Sequence, residues 1–441
     1  MNPLSKQLQA LTIQLTILPD QVIILADKFH HAILAGLAGR QSPLKMLPSY
    51  ISKPSCNEVG TFLALDFGGT NVRVLLAELL GQGLFKVHDH IGVPLKDKDG
   101  HYNYISNQST ADQLFDYIAL QIGAVVKQDN SYPLGHTFSF PTRQTGLNSG
   151  TLIHWTKEIE TTGMDNKNIT ELLTAALKRQ GLTNVLPQAI INDTVGTLLT
   201  AAYIDPSADI GSICGTGHNT AYLEPSSPLT LCPMIINLES GNFNQLPFTG
   251  YDLQLDAHSE KPGNQLLEKM VSGHYVGELV RIIACNLFRD GLLSGCRDRD
   301  RLTVPYLLNG AHISLLQADD STDLTLIARW LENSLSIKNS SAFDRQVLKS
   351  IASLVCTRSA QLVAATYLGI LTHIDPQLEN HHTIAIDGSL YEKMPGYAEA
   401  IQTTLSQALG TKSEHVTTKL TKDGSGIGAA IATAIAATMP Q

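Results

Sequence analysis

Apolar runs of strand length alternate along the chain with longer stretches of helical periodicity. The strand-like runs are 61–67, 72–80, 134–140, 186–192 and 383–387. The helical stretches are 3–40, which Pro19 divides into two pieces, and 111–127, 194–204, 264–290, 346–372 and 428–438. Asp20 is a candidate cap for the second N-terminal piece. Because strands and helices alternate throughout, the pattern predicts an α/β fold.

Two strand–turn–strand units of similar pattern lie far apart in the chain. The first, LDFGGTNVR at 65–73, joins two apolar runs through a pair of glycines, which is also a hairpin signal. The second, DIGSICGTGHNTAYL at 209–223, joins apolar runs through Gly-Thr-Gly. The repetition predicts two related halves of the molecule rather than a short-period repeat array.

Composition and charge narrow the class of partner. The 441 residues carry a net charge of −9 and are 43% hydrophobic, so we expect ample core and no electrostatic attraction to nucleic acid or anionic membranes. The N-terminus lacks the pattern of an export signal, and the uncharged run 424–441 is rich in Ala, Gly and Thr, which favours an interior helix over a membrane span. The six cysteines form no CxxC pair, so we expect reduced thiols in the cytoplasm.

The turn at 66–73 carries more polar chemistry than a turn requires. Glycines allow backbone N–H groups to converge on one spot, and such groups bind phosphate oxygens. Asp66 would repel a phosphate unless a divalent cation lay between them, and Mg²⁺ accepts one or two carboxylates together with phosphates and water. The turn is therefore a candidate site for Mg·ATP, with a plain hairpin turn facing solvent as the alternative.

Four further motifs each allow two interpretations. Asp193 follows an apolar run and precedes a helix, so it is a candidate general base or a simple helix N-cap. Lys157 is a candidate phosphate contact or an ordinary surface lysine. Glu239 and Glu268 belong to the residue types that bind sugar hydroxyls, although glutamates are usually solvated. Asp-Gly-Ser at 387–389 is a candidate nucleotide segment or a common strand-to-helix turn.

The order of these motifs resembles the eukaryotic-type hexokinase and glucokinase family. In chain order they are DFGGTNVR, SFP with WTK, INDTVGT, GTGHN, PGNQLLEKM and DGS, and further matches are KMLPSYI, LFDYIA, SGHYVGELVR and DGSGIGAA. The resemblance implies an α/β, two-lobed actin-like ATPase fold, which is ribonuclease H-like, with a central cleft. It also implies a small lobe of 62–191 and 424–441 and a large lobe of 1–61 and 192–423.

The resemblance assigns roles to residues of this chain. The implied catalytic residues are Asp193, as general base, and Lys157. The implied sugar-binding residues are Ser139, Thr156, Lys157, Asn192, Asp193, Asn219, Glu239, Gln265 and Glu268. The implied nucleotide-binding residues are Asp66, Gly68, Gly69, Thr70, Asn71, Arg73, Gly215, Thr216, Gly217, Gly388 and Ser389, and Asp66 would hold Mg²⁺ through water.

The implied reaction is ATP-dependent phosphorylation of the 6-hydroxyl of glucose, with mannose and fructose as further candidate sugars, at the first step of glycolysis. The implied partners are a hexose, ATP and Mg²⁺, and we expect a monomer or homodimer without nucleic acid or membrane. The alternatives are a catalytically silent sugar sensor and another kinase of the same fold, such as an acetate or glycerol kinase. Asp193 and Lys157 argue against the sensor, and the sugar-binding set argues against the other kinases. The chain departs from the family at Glu158, Ser240 and His274, and a tryptophan is usual at the position of Ser240.

Overall fold

The computed structural model describes residues 3–155, 159–226, 232–291, 301–338 and 340–438. The strands are β1 (Leu47–Pro48), β2 (Val59–Phe67), β3 (Asn71–Gly81), β4 (Leu84–Pro94), β5 (Tyr132–Phe138), β6 (Thr142–Gly146), β7 (Ser149–Leu152), β8 (Val185–Ile191), β9 (Ala208–Cys214), β10 (His218–Glu224), β11 (Met234–Asn237), β12 (His382–Asp387) and β13 (Val416–Leu420). The helices are α1 (Pro3–Leu15), α2 (Pro19–Leu37), α3 (Ala111–Gly123), α4 (Ile169–Arg179), α5 (Asp193–Ile204), α6 (Gly250–His258), α7 (Leu266–Val271), α8 (Gly273–Arg289), α9 (Gly310–Ala318), α10 (Thr325–Leu335), α11 (Ala342–Ile374), α12 (Ser389–Lys393), α13 (Tyr397–Leu409) and α14 (Gly424–Thr438).

Within the described residues, the five-stranded sheet has the order β4–β3–β2–β5–β8. β2 and β3 form the antiparallel hairpin that the glycine turn predicted, and β2, β5 and β8 run parallel. One face of the sheet is covered by α3 and α4, whose apolar residues share a buried cluster with Leu63, Leu65 and Leu134. Because parallel strands end at the same edge, the residues that follow Phe67 and Ile191 lie close together.

The six-stranded sheet has the order β1–β11–β10–β9–β12–β13 across the described chain. β9, β12 and β13 are parallel, whereas β10 and β11 are antiparallel additions. Residues of α2, α8, α11 and α13 form a large buried cluster against one face of this sheet. The carboxyl ends of β9 and β12 therefore place the residues after Cys214 and Asp387 at one edge.

Helices α5 and α14 lie between the two sheets. One buried cluster contains Ala64 of β2, Ala208 of β9 and Ala385 of β12 together with apolar residues of both helices. The helices cross closely, because an added Cβ on Gly428 would lie 2.2 Å from the carbonyl oxygen of Gly196. The expectation that the apolar C-terminal run forms an interior helix is thus confirmed over the described residues 424–438.

Two predictions of local structure are wrong in detail. Asp20 does not cap α2, because Leu18 is the N-cap and its N–H donates to Oε1 of Gln21 at 2.9 Å. The stretch 264–290 is two helices rather than one, because Ser272 takes an extended conformation (φ −86°, ψ 155°) between α7 and α8. This break matters for the site described below, since it lets the chain turn back towards the end of β9.

In the part of the chain that the structure describes, two helical stretches are long and apolar enough to cross a membrane, judged by length and composition alone. They are Lys6–Leu37, which includes α1 and α2, and Ala342–Ile374, which is α11. The apolar window of α11 is 83% buried in the fold, whereas that of the N-terminal stretch is 28% buried. α11 is therefore a core helix, and the N-terminal stretch exposes Ile13, Leu18 and Ile24.

Buried ion pairs join elements around the six-stranded sheet. The guanidinium of Arg358 in α11 is fully buried and binds both carboxylate oxygens of Asp252 in α6, at 2.9 and 2.5 Å. His382, at the start of β12, lies between Asp209 (2.8 Å) and Asp375 (3.1 Å). Burial opposes a charge on His382, but its contacts with the two carboxylates outweigh burial and raise its pKa.

Candidate active site

The predicted Mg·ATP turn connects β2 to β3 and comprises Gly68, Gly69 and Thr70. The N–H of Gly68 donates to the carbonyl oxygen of Asn71 at 3.2 Å, which closes the turn, and Nδ2 of Asn71 donates to Oγ1 of Thr70 at 3.0 Å. Asp66 precedes the turn, and its Oδ2 accepts a hydrogen bond from Oγ of Ser425 at 2.9 Å. The carboxylate is therefore oriented beside a turn rich in backbone N–H groups, which suits a cation bound to phosphates.

The second glycine loop and the Gly-Ser segment lie against each other. The loop Gly215–Gly217 connects β9 to β10, and Ser389 begins α12 directly after Gly388. Gly388 has φ +122°, and an added Cβ would lie 2.5 Å from the carbonyl oxygen of Cys214. Only glycine fits this contact. Two segments that the sequence assigned to the nucleotide therefore share one edge of the six-stranded sheet.

The break between α7 and α8 holds the second glycine loop from its other side. The N–H of Gly273 donates to the carbonyl oxygen of Gly215 at 2.8 Å. The N–H of His274 donates to the carbonyl oxygen of Thr216 at 3.1 Å. The His274 ring stacks on Tyr306 with centroids 5.0 Å apart. The departure from the family at His274 thus places an aromatic side chain directly beside this loop.

The first turn of α14 joins the ends of β2 and β12, one strand from each sheet. Ser425 donates to Asp66 on the five-stranded sheet and accepts from Oγ1 of Thr137 at its carbonyl oxygen, at 2.7 Å. The N–H of Gly424 donates to Oδ2 of Asp387, at the end of β12 on the six-stranded sheet, at 3.3 Å. The sequence analysis assigned no role to Ser425, although it lies within the motif DGSGIGAA, and it included Asp387 only as the first residue of the candidate nucleotide segment 387–389.

Carboxylates gather around this junction. Burial, together with the charges of Asp423 and Asp193, raises the pKa of Asp387 to about 6. Arg73, expected at a phosphate, pairs with Asp423 at 2.9 Å, and both side chains are more than half exposed. An excess of negative charge beside two phosphate-type loops is consistent with a site for a cation-bound nucleotide.

Asn192 and Asp193 lie at the start of α5, and the structure shows which of the two is the N-cap. Asn192 is the N-cap, since its Oδ1 accepts from the N–H of Thr194 at 3.0 Å and from its Oγ1 at 2.7 Å. The interpretation of Asp193 as the N-cap is therefore wrong. Within the described part of the chain, the carboxylate of Asp193 accepts a local hydrogen bond from the N–H of Thr194, at 2.9 Å.

An amide–carboxylate network lies beside Asn192. Nδ2 of Asn219 is 3.5 Å from Oδ1 of Asn192 and 3.3 Å from Oε1 of Glu239. Asn237, which sequence reasoning missed, joins both partners: its Oδ1 accepts from Nδ2 of Asn219 at 3.0 Å, and its Nδ2 donates to Oε1 of Glu239 at 3.0 Å. Asn237 ends the apolar strand β11, and its only sequence signal is an amide two residues before a candidate glutamate.

Glu268 links this network to the second glycine loop. Its Oε2 accepts from the N–H of His218 at 2.9 Å, and an added Cβ on Gly217 would lie 2.9 Å from the same oxygen. Burial lowers the pKa of His218 to about 4, so this histidine is neutral near pH 7. Gln265 immediately precedes α7, which carries Glu268, so the two predicted sugar-binding residues share one helical element.

Two of the residues that are predicted to bind the sugar have strained backbones. Glu239 (φ 51°, ψ 52°) and Gln265 (φ 49°, ψ 48°) both occupy the left-handed region, which non-glycine residues rarely adopt. Such strain persists only where the surroundings hold it, and it clusters at functional sites. Ser240, at the position where the family usually has tryptophan, is fully buried and donates from Oγ to Thr220 at 3.2 Å.

The remaining predicted residues lie at the five-stranded sheet. The N–H of Ser139 donates to the carbonyl oxygen of Phe67 at 3.1 Å, so Ser139 follows β5 next to the end of β2. Trp155 packs edge-on against Phe140, with ring centroids 4.9 Å apart. The predictions for Thr156 and Lys157 lie outside the described residues.

The structure has two sheets with glycine loops at their facing edges. Helix α14 joins the sheets, and an amide–carboxylate network lies beside the loops. This arrangement defines an α/β two-lobed sugar-kinase fold. Hexokinase family models match residues 7–203 and 209–435. The chain therefore belongs to the hexokinase family. It is a sugar kinase, a phosphotransferase that uses ATP, and the predicted fold class is confirmed.

Similar proteins support this assignment along nearly the whole chain. The chain is 37% identical to Hexokinase-2 of Oryza sativa subsp. japonica, over 94% of this chain and 87% of that protein. It is also 37% identical to Hexokinase-1 of Spinacia oleracea, over 92% of this chain and 86% of that protein. The structure of the hexokinase from Schistosoma mansoni complexed with glucose matches with a TM-score of 0.86 and 32% identity, over 98% of this chain and 99% of that one.

Proposed function

We propose that this hexokinase transfers the terminal phosphoryl group of ATP to the 6-hydroxyl of glucose, with mannose and fructose as further acceptors, in the first step of glycolysis. The observation that carries the proposal is the position of Asp193. It follows Asn192, which contacts the amide–carboxylate network, and its charge also acts on Asp387 beside the nucleotide loops. A carboxylate between a polyhydroxyl site and a phosphate site is suited to accept the proton of the attacking hydroxyl.

The roles of the surrounding residues follow from their chemistry. Asn192, Asn219, Glu239 and Glu268 would bind sugar hydroxyls, since amides donate and carboxylates accept. The loops at 68–70 and 215–217 would hold phosphates through backbone N–H groups. Positioning and charge stabilisation account for most of the rate in phosphoryl transfer, so the loops matter as much as the base.

The orientation of Asp66 by Ser425 fits a water-mediated Mg²⁺ contact. Mg²⁺ would supply positive charge that neutralises the phosphates. Lys157, outside the described residues, is part of the proposal as a phosphate contact.

The lobe boundaries remain part of the proposal: 62–191 with 424–441 as the small lobe, and 1–61 with 192–423 as the large lobe. The two sheets fall on either side of this division, which supports it. Closure of the lobes around the sugar would exclude water and so limit hydrolysis of ATP. A cytoplasmic monomer or homodimer is also proposed; the free thiols of Cys56, Cys214, Cys285 and Cys356, in the described part of the chain, support a reducing compartment.

The test is a comparison of Asp193→Asn with the unmodified protein. Asparagine keeps the shape and the local hydrogen bond but removes the base, so kcat with glucose and Mg·ATP should fall at least about 100-fold. The dissociation constant for glucose, measured by the fluorescence of Trp155 and Trp330, should change little. Asp27→Asn, on an exposed face of α2, is the matched control.

Two results would separate the alternatives. Near-normal turnover of Asp193→Asn would refute its role as the base. Glucose binding without turnover of any hexose by the unmodified protein would instead support the sugar sensor.

A further inference from the structure

Asn237 lies at the centre of the sugar-side network although no role had been assigned to it. It is 5% exposed at the end of β11, where it pairs with Leu47 of β1 and Ala221 of β10. Its side chain makes three hydrogen bonds. Oδ1 accepts from Nδ2 of Asn219 (3.0 Å) and from the N–H of Glu239 (3.1 Å), and Nδ2 donates to Oε1 of Glu239 (3.0 Å).

The hydrogen-bond pattern allows one orientation of each amide. Oδ1 of Asn219 accepts from the backbone N–H groups of Thr220 (2.7 Å) and Ser240 (3.1 Å), so its Nδ2 must face Asn237 and Glu239. If the Asn237 amide were reversed, its NH₂ group would face two donors and its oxygen would face a carboxylate. Reversal of either amide, Asn219 or Asn237, would replace attraction with repulsion, so the hydrogen-bond network has a single arrangement.

Asn237 also holds the unusual backbone of Glu239. That residue is in the left-handed region, and its own N–H is bound by Oδ1 of Asn237. One amide thus fixes both the main chain and the carboxylate of the same glutamate. Few other residue types can do this, since the position requires an acceptor and a donor on one short side chain.

We propose that Asn237 is a positioning residue for sugar recognition, which presents the carboxylate of Glu239 and the amide of Asn219 to the sugar in one fixed geometry. The inference rests on the proposed function, in which those two groups bind hexose hydroxyls. A site that presents a fixed acceptor and a fixed donor discriminates strongly among hydroxyl arrangements, because an ill-matched sugar leaves buried polar groups unpaired. Asn237 therefore controls sugar affinity and the choice among epimers, and it does not act on the nucleotide.

The sharpest variant is Asn237→Asp, which keeps the shape and the accepting oxygen but places a second oxygen against Oε1 of Glu239. At about pH 8, the dissociation constant for glucose should rise about 10- to 100-fold, as expected for loss of a hydrogen bond to a charged group. The ratios of the dissociation constants for mannose and galactose to that for glucose should become smaller. The KM for Mg·ATP should stay within about 3-fold of the unmodified value.

The pH dependence of glucose affinity provides a measurement that would not change if Asn237 had a merely structural role. Glu239 is the titratable group that contacts the Asn237 amide, and two facing carboxylates can share one proton. That proton restores a donor between the two side chains. The ratio of glucose dissociation constants, variant to unmodified protein, should therefore fall at least about 3-fold between about pH 8 and pH 5.5.

Asn242→Asp is the matched control. Asn242 is on the same segment, but its Nδ2 donates to the carbonyl oxygen of Glu239 (3.1 Å) rather than to the carboxylate. If Asn237→Asp does not fold, Asn237→Ala is measured in its place, with loss of affinity and selectivity still expected.

Equal glucose affinities for the Asn237 and Asn242 variants, or unchanged selectivity, would overturn the inference. Failure of the unmodified protein to bind glucose would instead count against the proposed function.

Discussion

The five-stranded sheet contains a histidine that should make the protein sensitive to acid. His136 lies on β5 and is 2% exposed, and a backbone hydrogen bond with Ala189 on β8 opposes the effect of burial on its ring only in part. Burial lowers its pKa from 6.5 to about 3. The folded protein therefore resists protonation that the unfolded chain accepts, so stability falls as the pH drops below 6.5.

The size of the effect follows from the two pKa values. Between pH 7 and pH 5, His136 should remove about 2 kcal/mol of the free energy of unfolding, and the limit well below its folded pKa is about 5 kcal/mol. His136→Leu should abolish this contribution, because leucine does not titrate. In the variant, the loss of stability between these two pH values should be about 2 kcal/mol smaller than in the parent.

Urea unfolding followed by tryptophan fluorescence measures the difference. The chain has two tryptophans, and a Trp330→Phe background leaves Trp155, whose ring centroid is 5.9 Å from that of Phe138 on the same strand as His136. The control is His90→Gln, an exposed histidine on β4 of the same sheet. If His136→Leu loses as much stability between pH 7 and pH 5 as the parent, the ring is protonated or hydrated in the folded state and the reasoning fails.

Three further predictions concern glycine packing and buried charge. Gly388→Ala should raise the KM for ATP at least about 10-fold and leave glucose affinity unchanged, since its Cβ would strike Cys214; steady-state kinetics decide this. The raised pKa of His382 adds stability that is complete below pH 6.5 and is lost as the pH rises through the folded pKa. The urea midpoint of the parent should therefore fall as the pH rises above neutrality, and in His382→Leu this fall should be smaller. Arg358→Met should cost about 3–5 kcal/mol by leaving Asp252 buried and unpaired, and Asp252→Asn in the same chain should recover part of that loss in urea unfolding.

Local sequence patterns were sufficient to predict the glycine loops, but not to predict the tertiary contacts that the loops make with other segments. The turn after Phe67 was predictable because two apolar runs met at a pair of glycines. That Gly388 lies against Cys214 depends on two parallel strands far apart in the chain, and nothing local encodes that contact. The predicted roles of the loops therefore came from motif order, whereas their mutual arrangement came from the fold.

Capping and helix ends were ambiguous for a different reason. Asn192 and Asp193 are both strong N-cap types, so only the backbone conformation distinguishes them. Ser272-Gly273 is a dipeptide that can mark a turn, and the helix does stop there, where Gly273 and His274 bind the loop at Gly215 and Thr216. Tertiary hydrogen bonds outweighed helical periodicity at that point.

The missed network residue shows why a buried strand conceals function. Asn237 ends a run of apolar residues in β11, where an isolated amide is usually a satisfied core group. Its significance appears only when Asn219 and Glu239 are placed on either side of its amide. The resemblance to a family proposed Asn219 and Glu239 as sugar contacts, but sequence reasoning did not single out Asn237, which is hydrogen-bonded to both.

The sugar-side network and the nucleotide loops meet at one carboxylate. Glu268 accepts from the N–H of His218, directly after the second glycine loop, and a side chain on Gly217 would displace that carboxylate. The same helix segment continues into the break at Ser272, from which Gly273 binds the start of the loop. A movement of the Glu268 carboxylate would therefore also affect the backbone of the loop that is proposed to hold phosphate. This shared contact gives a physical reason for the residues proposed to bind sugar and phosphate, which are scattered along the chain, to act as one site.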